Sequence, residues 1–170
     1  MKTDAFDLGG LRLSSGEGRR LALTVEQDPL ELGGTSYSVL PQLVDVTVDV
    51  SRTTGGGYAL RLRLTASLRG PCMRCLLDAE PSFEVDAREV ELPGGGEELD
   101  SPYVHGDLLD LRSWVHDAVA LAAPDQVLCE PGCPGLCPLC AVALASAGPE
   151  HHHEREPDRR WEKLRELDLS

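Results

Sequence analysis

Two runs of strict alternation, meeting at a glycine triplet, set the architecture of this chain. Val44, Val46, Val48 and Val50 alternate with Asp45, Thr47 and Asp49, and Leu60, Leu62, Leu64, Ala66 and Leu68 alternate with Arg61, Arg63, Thr65, Ser67 and Arg69. Side chains on a strand point to opposite faces with a period of two, so each run predicts a strand with one apolar and one polar face. Gly55-Gly56-Gly57 between them predicts a hairpin turn. Phe83, Val85 and Ala87 against Glu84, Asp86 and Arg88 extend the pattern to a third strand, and Leu21, Leu23 and Val25 to a weaker one near the start. Successive strands joined by short turns give an antiparallel, twisted sheet with a leucine and valine inner face.

Helical spacing enters later. Leu108, Leu111, Val115, Ala118, Val119 and Ala122, with Asp107 placed to cap the start and Pro124 beyond the end, predict a helix over 107–123. A second short helix is expected over 157–168, with Pro157 in its first turn and Trp161, Leu164 and Leu167 on one stripe. Residues 129–156 are rich in Cys, Pro, Gly and His without a steady period, and residues 93–106 read as a mobile loop. At 170 residues this makes a single domain. The expected fold class is α+β: a mainly antiparallel twisted sheet, mainly β over 8–92, with a central helix and a C-terminal cysteine-rich, zinc-knuckle-like segment.

Charge narrows the function. Lys and Arg number 16 against 29 Asp and Glu, a net charge of −13, and aromatic residues are 4% of the chain. Affinity for nucleic acid comes mostly from neutralising phosphates, so an acidic chain with few rings is a poor self-sufficient platform for it. The charge is segregated. Residues 51–75 carry five arginines (Arg52, Arg61, Arg63, Arg69, Arg74) and no acid, whereas residues 78–110 carry eleven acids against Arg88 alone, a net −10. The N-terminal MKTDAFDLGG has no basic and apolar signal pattern, and the apolar run Ala118–Ala123 is far shorter than the ~20 residues a membrane span needs. A cytoplasmic location is expected, with no membrane partner.

In a reducing compartment six cysteines point to metal rather than to disulfides. Cys72-Met73-Arg74-Cys75 falls between the second and third strands, and Cys129-x3-Cys133-x3-Cys137-x2-Cys140 follows the helix. Two residues between cysteines let a tight turn aim both sulfurs at one point, and two such turns face to face make a closed four-sulfur structural site. That predicts Cys72, Cys75, Cys137 and Cys140 around one structural zinc, tying the tail to the hairpin tip. Cys129 and Cys133 are the alternative ligands: with Cys137 and Cys140 they would close a local site. The run His151-His152-His153 can also supply a nitrogen. A thioredoxin-like use of Cys72 and Cys75 would want a strand–CxxC–helix context. There is no GxSxG, Walker loop or HExxH, and no small-molecule substrate or enzymatic activity is expected.

Four motifs stand in order: Pro71-Cys-Met-Arg-Cys-Leu76; Leu109-Asp110-Leu111 opening a helix that closes at Leu121-Ala-Ala-Pro124; Cys133-Pro-Gly-Leu-Cys-Pro-Leu-Cys140; and Pro157-Asp-Arg-Arg-Trp161 followed by Leu164. Together they resemble the YceD-like family, bacterial and plastid proteins named for large ribosomal RNA subunit accumulation. The resemblance covers about residues 8–168 and is strongest from 71 onward. It implies a role in accumulation of large-subunit ribosomal RNA, hence in ribosome assembly, and a metal-binding character, and it leaves nucleic-acid binding open. Two departures stand out: Ala141 occupies a place where glycine commonly follows the knuckle, and the three histidines stand where relatives can carry a further Cys-x-Cys. Two modes of action follow. The acidic stretch 78–110 can shield a basic large-subunit ribosomal protein, or Arg61, Arg63 and Arg69 on one strand face, extended by Arg74, can contact ribosomal RNA. The alternatives are a zinc-stabilised protein-interaction module without RNA contact, and a thiol redox protein using Cys72 and Cys75.

Overall fold

The computed structural model describes residues 3–148 and 150–153. The strands are β1 (Ala5–Asp7), β2 (Gly18–Glu26), β3 (Leu30–Leu32), β4 (Thr35–Leu40), β5 (Leu43–Arg52), β6 (Tyr58–Pro71), β7 (Asp78–Ala79), β8 (Ser82–Glu91), β9 (Val104–His105) and β10 (Leu108–Asp110). One helix, α1, spans Leu111–Ala122. The large sheet runs β2-β5-β6-β4-β3 with β7 and β8 also paired to β6, and a small sheet runs β1-β10-β9. Among the described residues the fold is mostly antiparallel sheet with one α-helix, as the alternation requires.

Strand β6 is the spine. Its 14 residues pair with β5 and then β4 along one edge, and with β8 and then β7 along the other. The register sets Leu62 between Val48 and Ala87, and Arg61 between Asp49 and Arg88. Apolar side chains thus meet on one face and charged ones on the other. The inner face is closed: Val48, Val50, Leu62 and Leu68 are all 0% exposed. At the β5–β6 turn the Gly57 N–H is held by Thr53, and a Cβ on Gly57 would strike the Glu91 carbonyl, so a side chain there would push β8 off β6.

Helix α1 buries Leu111, Trp114, Val115, Ala118 and Val119 and packs on β8 and β2. Its start differs from expectation. The capping carboxylate is Asp110, which accepts the Ser113 N–H at 3.1 Å, so the helix begins at Leu111 rather than at 107. Asp107 is used elsewhere, accepting the Tyr58 hydroxyl at 2.6 Å while Arg52 approaches at 3.6 Å. Leu108–Asp110 instead extend as β10 against β1, with Leu109 opposite Phe6. Residues 93–106, read from sequence as a mobile loop, are tied back: Leu92 N–H donates to Leu99 C=O at 2.8 Å, and Ser101 N–H to the Glu91 carboxylate at 2.8 Å. The helix expected over 157–168 lies outside the described residues.

Among the described residues no helix is long and apolar enough to cross a membrane. Leu62→Ala, which hollows the core at the centre of β6, should cost about 3 kcal/mol in chemical denaturation. The solvent-facing Thr65→Ala should change stability by less than about 1 kcal/mol.

Candidate metal centres

Strand β6 runs through Pro71 directly into Cys72-Met73-Arg74-Cys75. The turn closes on itself: Cys72 N–H donates to Leu77 C=O at 2.7 Å and Leu76 N–H to Cys72 C=O at 3.0 Å, with Leu76 in the left-handed region at φ +64°. The Cys72 sulfur accepts the N–H groups of Arg74 and Cys75. The second CxxC repeats this. Cys137 N–H donates to Val142 C=O at 2.8 Å, Ala141 N–H to Cys137 C=O at 2.8 Å, and Ala141 has φ +57°. The Cys137 sulfur accepts the N–H groups of Leu139 and Cys140. The chain therefore contains two copies of one knuckle, each with its fifth residue in a left-handed conformation. Glycine suits that position because it alone adopts positive φ without steric cost.

The two knuckles do not face each other. Cys72 and Cys75 meet Cys129 and Cys133, while Cys137 and Cys140 meet His151 and His153; in each group the four ligand atoms lie within 4.8 Å of one another. The expected quartet of Cys72, Cys75, Cys137 and Cys140 is thus not brought together. The reason lies in the backbone: Met73 N–H donates to Val127 C=O at 2.8 Å, and Val127 N–H approaches the Met73 sulfur at 3.4 Å. That pairing delivers Cys129 and Cys133 to the first knuckle before the chain reaches Cys137. Gly135 then passes close under the knuckle, where a Cβ would lie 3.3 Å from the Arg74 carbonyl oxygen.

The spacings suit a tetrahedral ion. Four sulfurs each 2.3 Å from a metal stand about 3.8 Å apart, and a sulfur and an imidazole nitrogen about 3.6 Å. Cys72 and Cys133 sulfurs are 3.8 Å apart, and Cys75 and Cys129 sulfurs 3.5 Å. In the second group Cys140 Sγ is 3.6 Å from His151 Nε2 and 3.3 Å from His153 Nε2. His152 takes no part, and its Nδ1 lies 2.8 Å from the Glu150 carbonyl. The first centre is largely buried, with Cys72, Cys75 and Cys133 each at most 2% exposed, whereas Cys140 and His153 of the second face solvent.

The thiols are tuned unequally. Burial pushes Cys72 up, but the N–H groups of Arg74, Cys75 and Cys129 outweigh it and bring the thiol down to about 6. A hydrogen bond shared with Cys75, reinforced by burial, pushes Cys129 up to about 12. In the second centre the bond to His151, then the N–H groups of Leu139 and Cys140, bring Cys137 down to about 6. Each centre thus holds one thiol that loses its proton more readily than its neighbours, and a metal ion bound there would displace the remaining thiol protons.

The four arginines singled out from the sequence sit apart from both centres or beside them. Arg61 bonds Asp86 at 2.8 Å, Arg63 bonds Asp49 at 2.7 Å, and Arg69 bonds Glu80 at 2.8 Å. Asp49 also takes Arg20 at 2.6 Å. The bond from Arg61 holds the Asp86 carboxyl below its ordinary range, and the bond from Arg20 does the same for Asp49. The outer face of the sheet is therefore a lattice of cross-strand ion pairs. Arg74 is exposed at the tip of the first knuckle.

A β-rich chain with two cysteine-based groups, each arranged so that it could hold a metal ion, is the class that fold and site define. The model of the family described as large ribosomal RNA subunit accumulation protein YceD matches residues 60–168, and the chain belongs to that family. It is 39% identical over 131 residues to the uncharacterized proteins Rv2926c and MT2996 of Mycobacterium tuberculosis and Mb2951c of Mycobacterium bovis. The matched region is 74% of this chain and 62% of each relative. No solved structure matches the chain.

Elemental analysis of untagged protein should find two metal ions per chain, and one in each of the variants Cys133→Ser and Cys140→Ser. One ion in the wild type, lost in Cys133→Ser, would leave the second group without a metal. Ala141→Gly, which removes a side chain from a left-handed position, should raise the stability of the metal-loaded protein by about 1 kcal/mol, read as a higher thermal midpoint.

Proposed function

We propose that the chain is a non-enzymatic factor supporting accumulation of large-subunit ribosomal RNA, and that it acts by contact with a basic large-subunit ribosomal protein. Membership of the YceD family carries the ribosomal part of this reading. The mode of contact rests on the ion-pair lattice: Arg61, Arg63 and Arg69 are each engaged by a carboxylate. Phosphate binding would have to displace those partners, at the cost of leaving acids facing the RNA backbone. The −13 net charge instead favours a cationic protein.

Zinc is the ion we assign to both centres, because closed four-ligand sites of thiolate, or thiolate with imidazole, suit it best. Residues Cys72, Cys75, Cys129 and Cys133 would hold one ion, and Cys137, Cys140, His151 and His153 the other. Bound there, zinc supplies cross-linking rather than chemistry, since neither set leaves a ligand position for water. The first centre would carry a net −2, adding to the acidity of the chain. Cys72 and Cys75 are read as ligands rather than as a redox pair.

Loss of the protein in cells should lower large-subunit ribosomal RNA relative to the small-subunit species, and Cys72→Ser/Cys75→Ser should reproduce the defect. Purified chain should retain basic large-subunit ribosomal proteins in a salt-sensitive manner. Replacing Arg61, Arg63 and Arg69 together with glutamine should leave any residual RNA binding unchanged. A drop in RNA affinity there would favour direct RNA contact instead.

A further inference from the structure

Strand β8 is an edge. Among the described residues its one ladder partner is β6. The Leu68 N–H donates to the Pro81 carbonyl at 3.1 Å, which makes the adjacent Ser67–Ser82 a non-hydrogen-bonded pair. Bonded and non-bonded pairs alternate in an antiparallel ladder. Phe83, Val85, Ala87 and Glu89 therefore turn their backbone groups toward β6, and Glu84, Asp86 and Arg88 turn theirs outward. A groove of about 620 Å³ runs along residues 84–89, and its far wall is built from Trp114, Ala118, Leu121 and Ala122 of α1. Leu121 is 87% exposed, an apolar side chain in solvent at the groove's rim.

We propose that this groove takes an extended segment of a partner protein as an added strand on β8, with basic side chains alternating with apolar ones. The inference deepens the protein-contact reading above and rests on it for its biological setting. An unpaired strand edge is a template for another strand, and an adjoining helix that offers apolar surface gives alternate side chains somewhere to bury. Charge selects the partner. Glu84, Asp86 and Glu89 line the groove with Arg88, and Asp86 is already paired with Arg61 of β6, which leaves Glu84 and Glu89 as the acids with no arginine pairing them among the described residues. The C-terminal end of α1, which carries no basic residue in its last turn, adds the partial negative charge of its free carbonyls. The same strand lies within the −10 stretch 78–110. A second copy of β8 is a poorer occupant, because antiparallel pairing centred on Asp86 would set two carboxylates against each other.

The test titrates metal-loaded full-length protein into a fluorescent, end-capped nine-residue peptide alternating lysine with valine, read by anisotropy. Saturable binding is expected, with none for a glutamate–valine peptide. N-methylation of alternate peptide amides should abolish it, since strand addition needs those donors. Asp86→Pro removes an outward N–H while leaving the ladder to β6 intact, and should weaken binding about tenfold or more; Asp86→Ala, which keeps the N–H, should weaken it less. Leu121→Gln, which removes the apolar rim without adding charge at an exposed position that folding does not need, should weaken it as well.

Equal binding of the glutamate peptide, full retention by the N-methylated peptide, or indifference to Leu121→Gln would overturn the proposal. So would a concentration-dependent dimer abolished by Asp86→Pro, which would give the edge to a second copy. If the peptide fails while loss of the protein still lowers large-subunit RNA, only the groove is refuted. If the peptide binds and the RNA is unaffected, the ribosomal reading falls and the groove stands.

Discussion

Everything in this molecule hangs on the two hydrogen-bonded ladders of β6. One strand of 14 residues is paired on both edges for most of its length, and its register puts leucine in the core and arginine outside. The same strand continues without a break into Cys72. The first metal centre is therefore an extension of the sheet, and the orientation of its ligands is inherited from the core. Because the Cys72 N–H and C=O are both used in closing the knuckle, the sulfur's direction is set by backbone bonds before any metal arrives.

Beyond α1 the chain changes its means of support. Among the described residues of 123–153 there is no strand beyond the isolated Leu136–Ala143 bridge, and few side chains are buried. Such a segment cannot repay its conformational entropy by burying apolar surface. Two metal-loaded four-ligand centres would do so, since binding free energy at a site absent from the unfolded chain becomes folding free energy. The division also explains the burial contrast. The first centre is covered because it joins the tail to the sheet, while the second draws all its ligands from the tail and, among the described residues, buries Cys137 but leaves Cys140 and His153 exposed.

The sequence was most legible where one physical rule acted alone. Period-two alternation located β5, β6 and β8, since those strands bury one face and pair along long registers. Short strands such as β9 and β10 carry too few residues for a pattern, and Leu108 fell on the helical stripe by coincidence while being 51% exposed on a strand. The helix start was missed by four residues because Asp107 and Asp110 look alike as caps, and only the tertiary bond from Tyr58 tells them apart. The metal ligands were all visible as residue types. Their partition was not, because it depends on the Met73–Val127 pairing, which no local spacing encodes. The left-handed Ala141 could have been suspected from the glycine preference at that place, and Leu76 carries the same conformation with no such signal.

The two knuckles differ in how far apart along the chain their ligands lie. Cys75 and Cys129 are 54 residues apart, and Cys72 and Cys133 are 61; Cys140 and His153 are only 13 apart. Closing a short loop costs less entropy than closing a long one, and it requires nothing else to be folded. The outer centre can therefore assemble in the tail alone, as a local event. The inner one must wait until β6 and the helix have brought Val127 alongside Met73. A metal ion held at the inner centre would therefore mark a chain in which the sheet and the Met73–Val127 pairing have already formed.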